Sequence, residues 1–299
     1  MKMPESFRNQ FSPDLSLLLV TLVWGLSFTV MKNILGDEVS PILFVLGRFF
    51  VATIFIFPFC RGNLSRFDRK GIAGGILLGA LLFAGFSLQS IGIEFTTASK
   101  SAFLTGLSAL FVPVFLIVHK GKLPPIINGL AILFAMAGMY LLTGPAGGEF
   151  NRGDFLTLLC AVAFGAQIYV MGLVSPGRDF LSLTFVELST TTLLAALFLP
   201  FETVKFQLTS GLVMAVMFLG IFATAGALAI QTWAQRRTSA IKTGLILTAE
   251  PVFAYMFAST LLGEYFNSVQ ILGGAIIIIA VITAEVLPLL IARKKSQRY

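Results

Sequence analysis

The polar residues of this chain are few enough to be weighed one by one. Glu250 lies about ten residues into an apolar run, which at 1.5 Å per residue is roughly 15 Å deep in a bilayer. Ionisable groups at that depth are rare and usually functional. Glu250 is therefore a candidate proton-coupling group or ligand for a substrate amine; the structural alternative is a bond that fixes the break at Pro251. Arg48, eight residues into its own run, can bind a substrate carboxylate, pair with Glu187 or Glu250, or snorkel to an interface. Glu187 is a second coupling candidate, or the partner of Arg48. Lys100 and Lys242 stand just inside opposite faces, as paired gates, as a clamp for an anionic substrate, or as snorkelling orientation signals.

Uncharged groups point to a cavity. Ser27 and Gln167 are 140 residues apart and Gln89 and Gln231 are 142 apart, so four helices each project a hydrogen-bonding group at matched depth. With Trp24, Phe164, Trp233 and Tyr255 they describe an aromatic-walled, mildly polar pocket near the midplane. Helix–helix polar glue is the bland alternative. Gly71, Gly75 and Gly79 form a small-residue stripe for helix packing, and Pro113 and Pro251 are expected to break their helices. His119, the single histidine, reads as a solvated loop residue, and Cys60 and Cys160 fall in apolar runs that suggest neither a disulfide framework nor a metal cluster.

The elements that must position these groups are apolar runs near 14–35, 40–60, 71–93, 97–118, 124–143, 153–174, 180–201, 209–234, 240–262 and 268–291. Each is about 20 residues long without period-2 alternation, which predicts ten spanning helices, spans 1 to 10, rather than barrel strands. The chain of 299 residues is 57% hydrophobic and 12% charged, and ten spans consume about 200 residues, leaving no room for a soluble domain. The polar start followed by repeated apolar runs predicts no cleaved signal peptide.

The net charge of +7 resolves into topology rather than a nucleic-acid surface. Lys2, Arg8, Arg61, Arg66, Arg69, Lys70, Lys120, Lys122, Arg178, Arg236, Arg237, Arg293, Lys294, Lys295 and Arg298 fall on the face of the N-terminus, against Lys32, Lys100, Arg152 and Lys205 on the other. The positive-inside rule then makes both termini cytoplasmic, and the basic tail an anchor that can touch anionic headgroups.

The halves repeat. Asp14, Trp24, Gly25, Val30 and Met31 align at 140 with Asp154, Phe164, Gly165, Val170 and Met171. Ser40, Pro58, Phe59, Gln89, Thr96, Ala98, Lys100, Phe111 and Phe115 align at 142 with Ser182, Pro200, Phe201, Gln231, Thr238, Ala240, Lys242, Phe253 and Phe257. A competing register at 138 pairs Thr105-Gly106-Leu107 and Pro113 with Thr243-Gly244-Leu245 and Pro251; 142 is preferred because it continues without a gap. Five helices per copy is odd, so the copies, 1–145 and 146–299, are inverted. Exchanging their conformations gives outward-open and inward-open states, which argues for transport.

Residues Leu22 to Lys32 (LVWGLSFTVMK), Thr96 to Leu104 (TTASKSAFL), Ala249 to Phe253 (AEPVF) and Leu262-Gly263-Glu264 resemble, in order and spacing, the EamA-type transporters of the drug/metabolite transporter superfamily. That resemblance implies an all-α membrane protein, a ten-helix bundle of two inverted five-helix repeats, usually a bacterial inner-membrane exporter of amino acids or other small metabolites. Lys100 and Lys242 resemble in placement the cations of the superfamily's organic-phosphate members, so an organic-anion or phosphate-ester exchanger is the runner-up. With no P-loop, G-x-S-x-G elbow or H-E-x-x-H, an intramembrane enzyme is disfavoured, and polar groups gathered at one depth disfavour a channel. The expected partners are a small-molecule substrate and the lipid bilayer, with no cofactor, no nucleic acid and no obligate protein partner.

Overall fold

The computed structural model describes residues 5–62, 68–121, 123–143, 151–262 and 267–296, and side chains of these chiefly between 13 and 283. Lys2, Arg66, Lys122, Gly263, Glu264 and Arg298, and the side chains of Arg8, Arg293, Lys294 and Lys295, lie outside the described residues.

The chain is all-α: α1 (Glu5–Ile34), α2 (Pro41–Cys60), α3 (Arg69–Phe95), α4 (Ala98–Gly106), α5 (Ser108–Lys120), α6 (Ile126–Thr143), α7 (Arg152–Val174), α8 (Phe180–Phe198), α9 (Ser210–Gly220), α10 (Ala227–Gln235), α11 (Ala240–Leu247), α12 (Glu250–Leu262) and α13 (Ser268–Ser296). Among the described residues, eight stretches are long and apolar enough to cross a membrane, and α6 and α13 hold two shorter apolar ones. These ten match the ten predicted runs to within a few residues. A helix is forced on such runs because lipid offers the backbone no partner.

Polar caps set the starts. Asp68 accepts from Gly71 N at the head of α3, Asn151 and Asp154 form a capping box on α7, and Asp179 accepts from Ser182 N on α8. The cap of α2 comes from the other half of the chain. Glu202 accepts from the backbone N–H of Ile42 (2.9 Å) and Leu43 (3.2 Å) and from Ser40 Oγ (2.7 Å). Gly36 and Gly177 take positive φ in the turns after α1 and α7, where a side chain would be strained.

Among the described residues, three spans are interrupted. Span 4 breaks at Leu107 between α4 and α5, and span 9 at Thr248–Ala249 between α11 and α12. Span 8 carries a π-helical turn, Ile221–Gly226, between α9 and α10. Pro251 stands at the second break as expected, but Pro113 lies inside α5, six residues past the first. The break falls instead beside Gly106, where a Cβ would stand 2.8 Å from Met139 Sδ and 3.2 Å from Pro251 Cγ. The two breaks pack against each other, and glycine supplies the clearance.

The register of 142 governs these elements. Thr97 caps α4 by accepting from Lys100 N, and Ser239 caps α11 by accepting from Lys242 N. Contacts between halves are reciprocal as well: a Cβ on Gly25 would meet Phe253 Cβ at 2.7 Å, and one on Gly165 would meet Phe111 Cβ at 2.6 Å. The glycine stripe on α3 seats α8, with Gly75 against Val186 and Gly79 against the carbonyl of Glu187. His119 corrects its reading as a loop residue: it lies in the last turn of α5 and shares a 2.8 Å hydrogen bond with the Tyr169 hydroxyl. Phe59, Leu193, Phe201 and Ile279 are exposed, as apolar side chains facing lipid would be.

Candidate substrate cavity

Between the halves lies a cavity enclosing about 520 Å³ of atom-free space, part of it open to solvent. Its walls are Trp24, Ser27, Phe28, Arg48, Leu82, Phe86, Gln89, Thr105, Ser108, Phe164, Gln167, Ile168, Leu228, Gln231, Leu247 and Glu250. Fourteen of these sixteen residues form seven pairs related by the repeat. Trp24/Phe164, Ser27/Gln167 and Phe28/Ile168 stand 140 apart; Phe86/Leu228, Gln89/Gln231, Thr105/Leu247 and Ser108/Glu250 stand 142 apart. Arg48 and Leu82 alone lack a counterpart in the wall.

Arg48 is fully buried and built in. Its Nε donates to Thr224 Oγ1 (2.5 Å), Nη2 to the Ala223 carbonyl (3.1 Å) and Nη1 to Met31 Sδ (3.5 Å), while the guanidinium lies 4.5 Å from the centroid of Phe86. The π-helical turn provides this seat, since the Ala223 carbonyl accepts from both Arg48 and Trp24 Nε1 (2.8 Å) and Thr224 belongs to the same turn. Among the described residues no carboxylate stands within ion-pair distance of Arg48, which corrects the expected pairing with Glu187 or Glu250. Glu250 begins α12, where the positive end of the helix dipole favours a carboxylate. One wall thus carries a guanidinium and another a carboxyl group, separated by amides and aromatic faces.

The glutamines form two sets. Gln89 Nε2 donates to Thr105 Oγ1 (3.1 Å). Gln231 Nε2 donates to Gln167 Oε1 (3.2 Å) and Gln235 Oε1 (3.0 Å), and Gln167 Nε2 donates to Glu187 Oε1 (2.8 Å). Glu187 therefore sits behind Gln167, outside the wall.

Of the residues singled out in the sequence, Trp24, Ser27, Arg48, Gln89, Phe164, Gln167, Gln231 and Glu250 meet in the cavity. Trp233 does not; its ring lies under the Arg237 guanidinium at 4.6 Å. Tyr255 packs with Met139 and Ile277, and its hydroxyl accepts from Gln270 Nε2 at 3.1 Å. Lys100 and Lys242 are not open anion sites: Lys100 pairs with Asp154 and Lys242 with Asp14, each at 2.6 Å. Phe28, Phe86, Thr105 and Ser108 were not singled out in the sequence as wall residues. Ser108 was reachable, since it is the repeat partner of Glu250.

A model of the EamA-like transporter family matches the chain twice, over residues 11–144 and 151–284. An uncharacterized transporter of Archaeoglobus fulgidus is 35% identical over 271 residues, covering 90% of this chain and 84% of that protein. The uncharacterized transporter YoaV of Bacillus subtilis is 21% identical over 88% of this chain and 93% of its own. A chloroplastic WAT1-related protein of Arabidopsis thaliana is 25% identical over 86% of this chain and 66% of its own. One crystal structure superposes with a TM-score of 0.72 at 17% identity, covering 94% of this chain and 97% of that one, a likeness of fold alone. With both halves matched by the same model, this multi-pass membrane chain belongs to the EamA-like transporter family, within the drug/metabolite transporter superfamily.

Proposed function

We propose that the protein is a secondary transporter working by alternating access, an exporter of small amphoteric metabolites such as amino acids, set in a bacterial inner membrane with both termini cytoplasmic. The observation that carries this reading is the composition of the cavity wall, seven repeat-related pairs around one central space. A site shared equally by two inverted copies can be handed from one face to the other when the copies exchange conformations. Arg48 and Glu250 are the opposite charges a zwitterion would address, Arg48 for a carboxylate and Glu250 for an amine. The phosphate-ester alternative loses its cations, because Lys100 and Lys242 are already neutralised by aspartates.

Counterflow in proteoliposomes tests the reading. Vesicles loaded with unlabelled amino acids should take up labelled amino acid transiently and saturably, and Arg48→Ala or Glu250→Gln should suppress it. Exchange confined to phosphorylated metabolites would overturn the substrate class, and flux that never saturates would point to a channel.

A further inference from the structure

We propose that Glu187 is the proton-binding group of the transport cycle. The carboxylate is fully buried, and it receives one hydrogen bond, from Gln167 Nε2 at 2.8 Å. Its other oxygen, Oε2, is buried with no hydrogen-bond partner among the described residues. Gln231 Oε1 is in the same condition, and Gln231 donates to Gln167, so both orphan acceptors are neighbours of one amide. Leaving such atoms unpaired in a low-dielectric interior is costly. A single added proton removes the first of these unpaired acceptors. On Oε2 it turns an acceptor into a donor, and Gln231 Oε1 is the acceptor in the cluster that lacks one. The proton comes from hydronium, which leaves as water when the Oε2–H bond forms, and it departs by the reverse step.

The charges around this group leave it alone. On α2 the charge is Arg48, which donates to Thr224, Ala223 and Met31 and, among the described residues, makes no ion pair with Glu187. On α3, Gly79 faces the Glu187 carbonyl, so Arg69 and Lys70 are about 14 to 15 Å away along the helix and Glu94 about 22 Å. Helix α10 carries no charged residue, and those of α7, Arg152 and Asp154, lie in its first turn. Glu250 lies at the head of α12, on the cavity wall. Gln167 and Gln231 also line that wall, so the protonation state of Glu187 sets whether amide donors or acceptors turn toward a substrate, which links the two binding events reciprocally.

This inference rests on the transport reading, and two measurements separate their failures. Infrared difference spectra of reconstituted wild-type protein between about pH 4 and pH 9 should show the carbonyl band of a protonated carboxylic acid appearing and disappearing. The band should be absent from Glu187→Gln, retained in Glu250→Gln, and retained at altered frequency in Glu187→Asp. A band that survives in Glu187→Gln, or no band in wild type, overturns the proposal whatever the transport result. In vesicles, a pH gradient should drive amino-acid flux through wild type, while Glu187→Gln keeps counterflow and loses the response to the gradient. An unchanged response in Glu187→Gln also overturns it. Loss of counterflow in wild type, with the infrared pattern intact, would fault the substrate reading and leave the proton site standing.

Discussion

Lys242 reaches back across 228 residues of sequence to pair with Asp14 at 2.6 Å, and the same bond recurs one repeat earlier in the opposite sense, from Lys100 forward to Asp154. Each ion pair joins the first half of the chain to the second, and the lysines stand near opposite faces. Were the faces to open alternately, one bridge would have to part while the other held.

Weakening either bridge should therefore bias the conformational equilibrium in opposite directions. Asp14→Asn and Asp154→Asn are expected to change the labelling rates of single cysteines at the two faces reciprocally. Partly exposed pairs are worth up to about 1 kcal/mol, a factor of about five in the equilibrium. Equal changes at both faces in both variants would rule out the reciprocal arrangement.

The glycine contacts between halves give a stability prediction. Gly25→Ala and Gly165→Ala place a Cβ within 2.7 Å of their neighbours and should cost about 1–3 kcal/mol, read as a lower Tm. Gly129→Ala on α6, where a Cβ would meet nothing from another element within 4 Å among the described residues, should be neutral or stabilising by up to about 1 kcal/mol.

Arg48 should not tolerate lysine. A single ammonium cannot serve Thr224, the Ala223 carbonyl and the Phe86 face together. Arg48→Lys is expected to lose most counterflow. Thr224→Val, which removes one charged hydrogen bond of about 1.5–3 kcal/mol, should raise the half-saturating substrate concentration roughly tenfold or more. Unaltered saturation in Thr224→Val would remove the π-helical turn from the binding machinery.

At the face of the N-terminus, the Arg178 guanidinium hydrogen-bonded to Asp68 (3.1 Å) holds that carboxyl below its ordinary value of 3.8. A depressed folded value means the contribution is present above the unfolded value and is lost as pH falls through the folded one. Asp68→Asn, which can still cap α3, should lower Tm slightly at neutral pH, and the gap should close below about pH 4. A gap that widens on acidification would contradict this sign.

Much of this architecture was legible in the sequence because lipid restricts the choices. Span ends followed from where apolar runs meet caps, and depth followed from counting residues; Ser27, Gln89, Gln167 and Gln231, matched in depth by the repeat, all line the cavity wall. Rotation about each helix axis was harder. Spans apolar all round give no preferred face. Trp233 lies two residues past Gln231, about 200° around α10, and Tyr255 lies five past Glu250, about 140° around α12. Matching depth brought both into the expected pocket, and angle takes them out. The break at Leu107 and the π-helical turn were hidden for another reason: they depend on Gly106 meeting Pro251, and on Arg48 meeting Thr224, across the fold.

The Glu202 cap of α2 has a consequence for synthesis. Its acceptor follows Ser40 by 162 residues, which at about 5–20 residues per second leaves the ribosome roughly 8–30 s later. Throughout that interval the first amides of α2 lack the carboxylate that finally serves them. The leading half of the nascent chain can enter the bilayer, yet one of its helices is completed only when the trailing half arrives, so the two copies are bound to each other in time as well as in space.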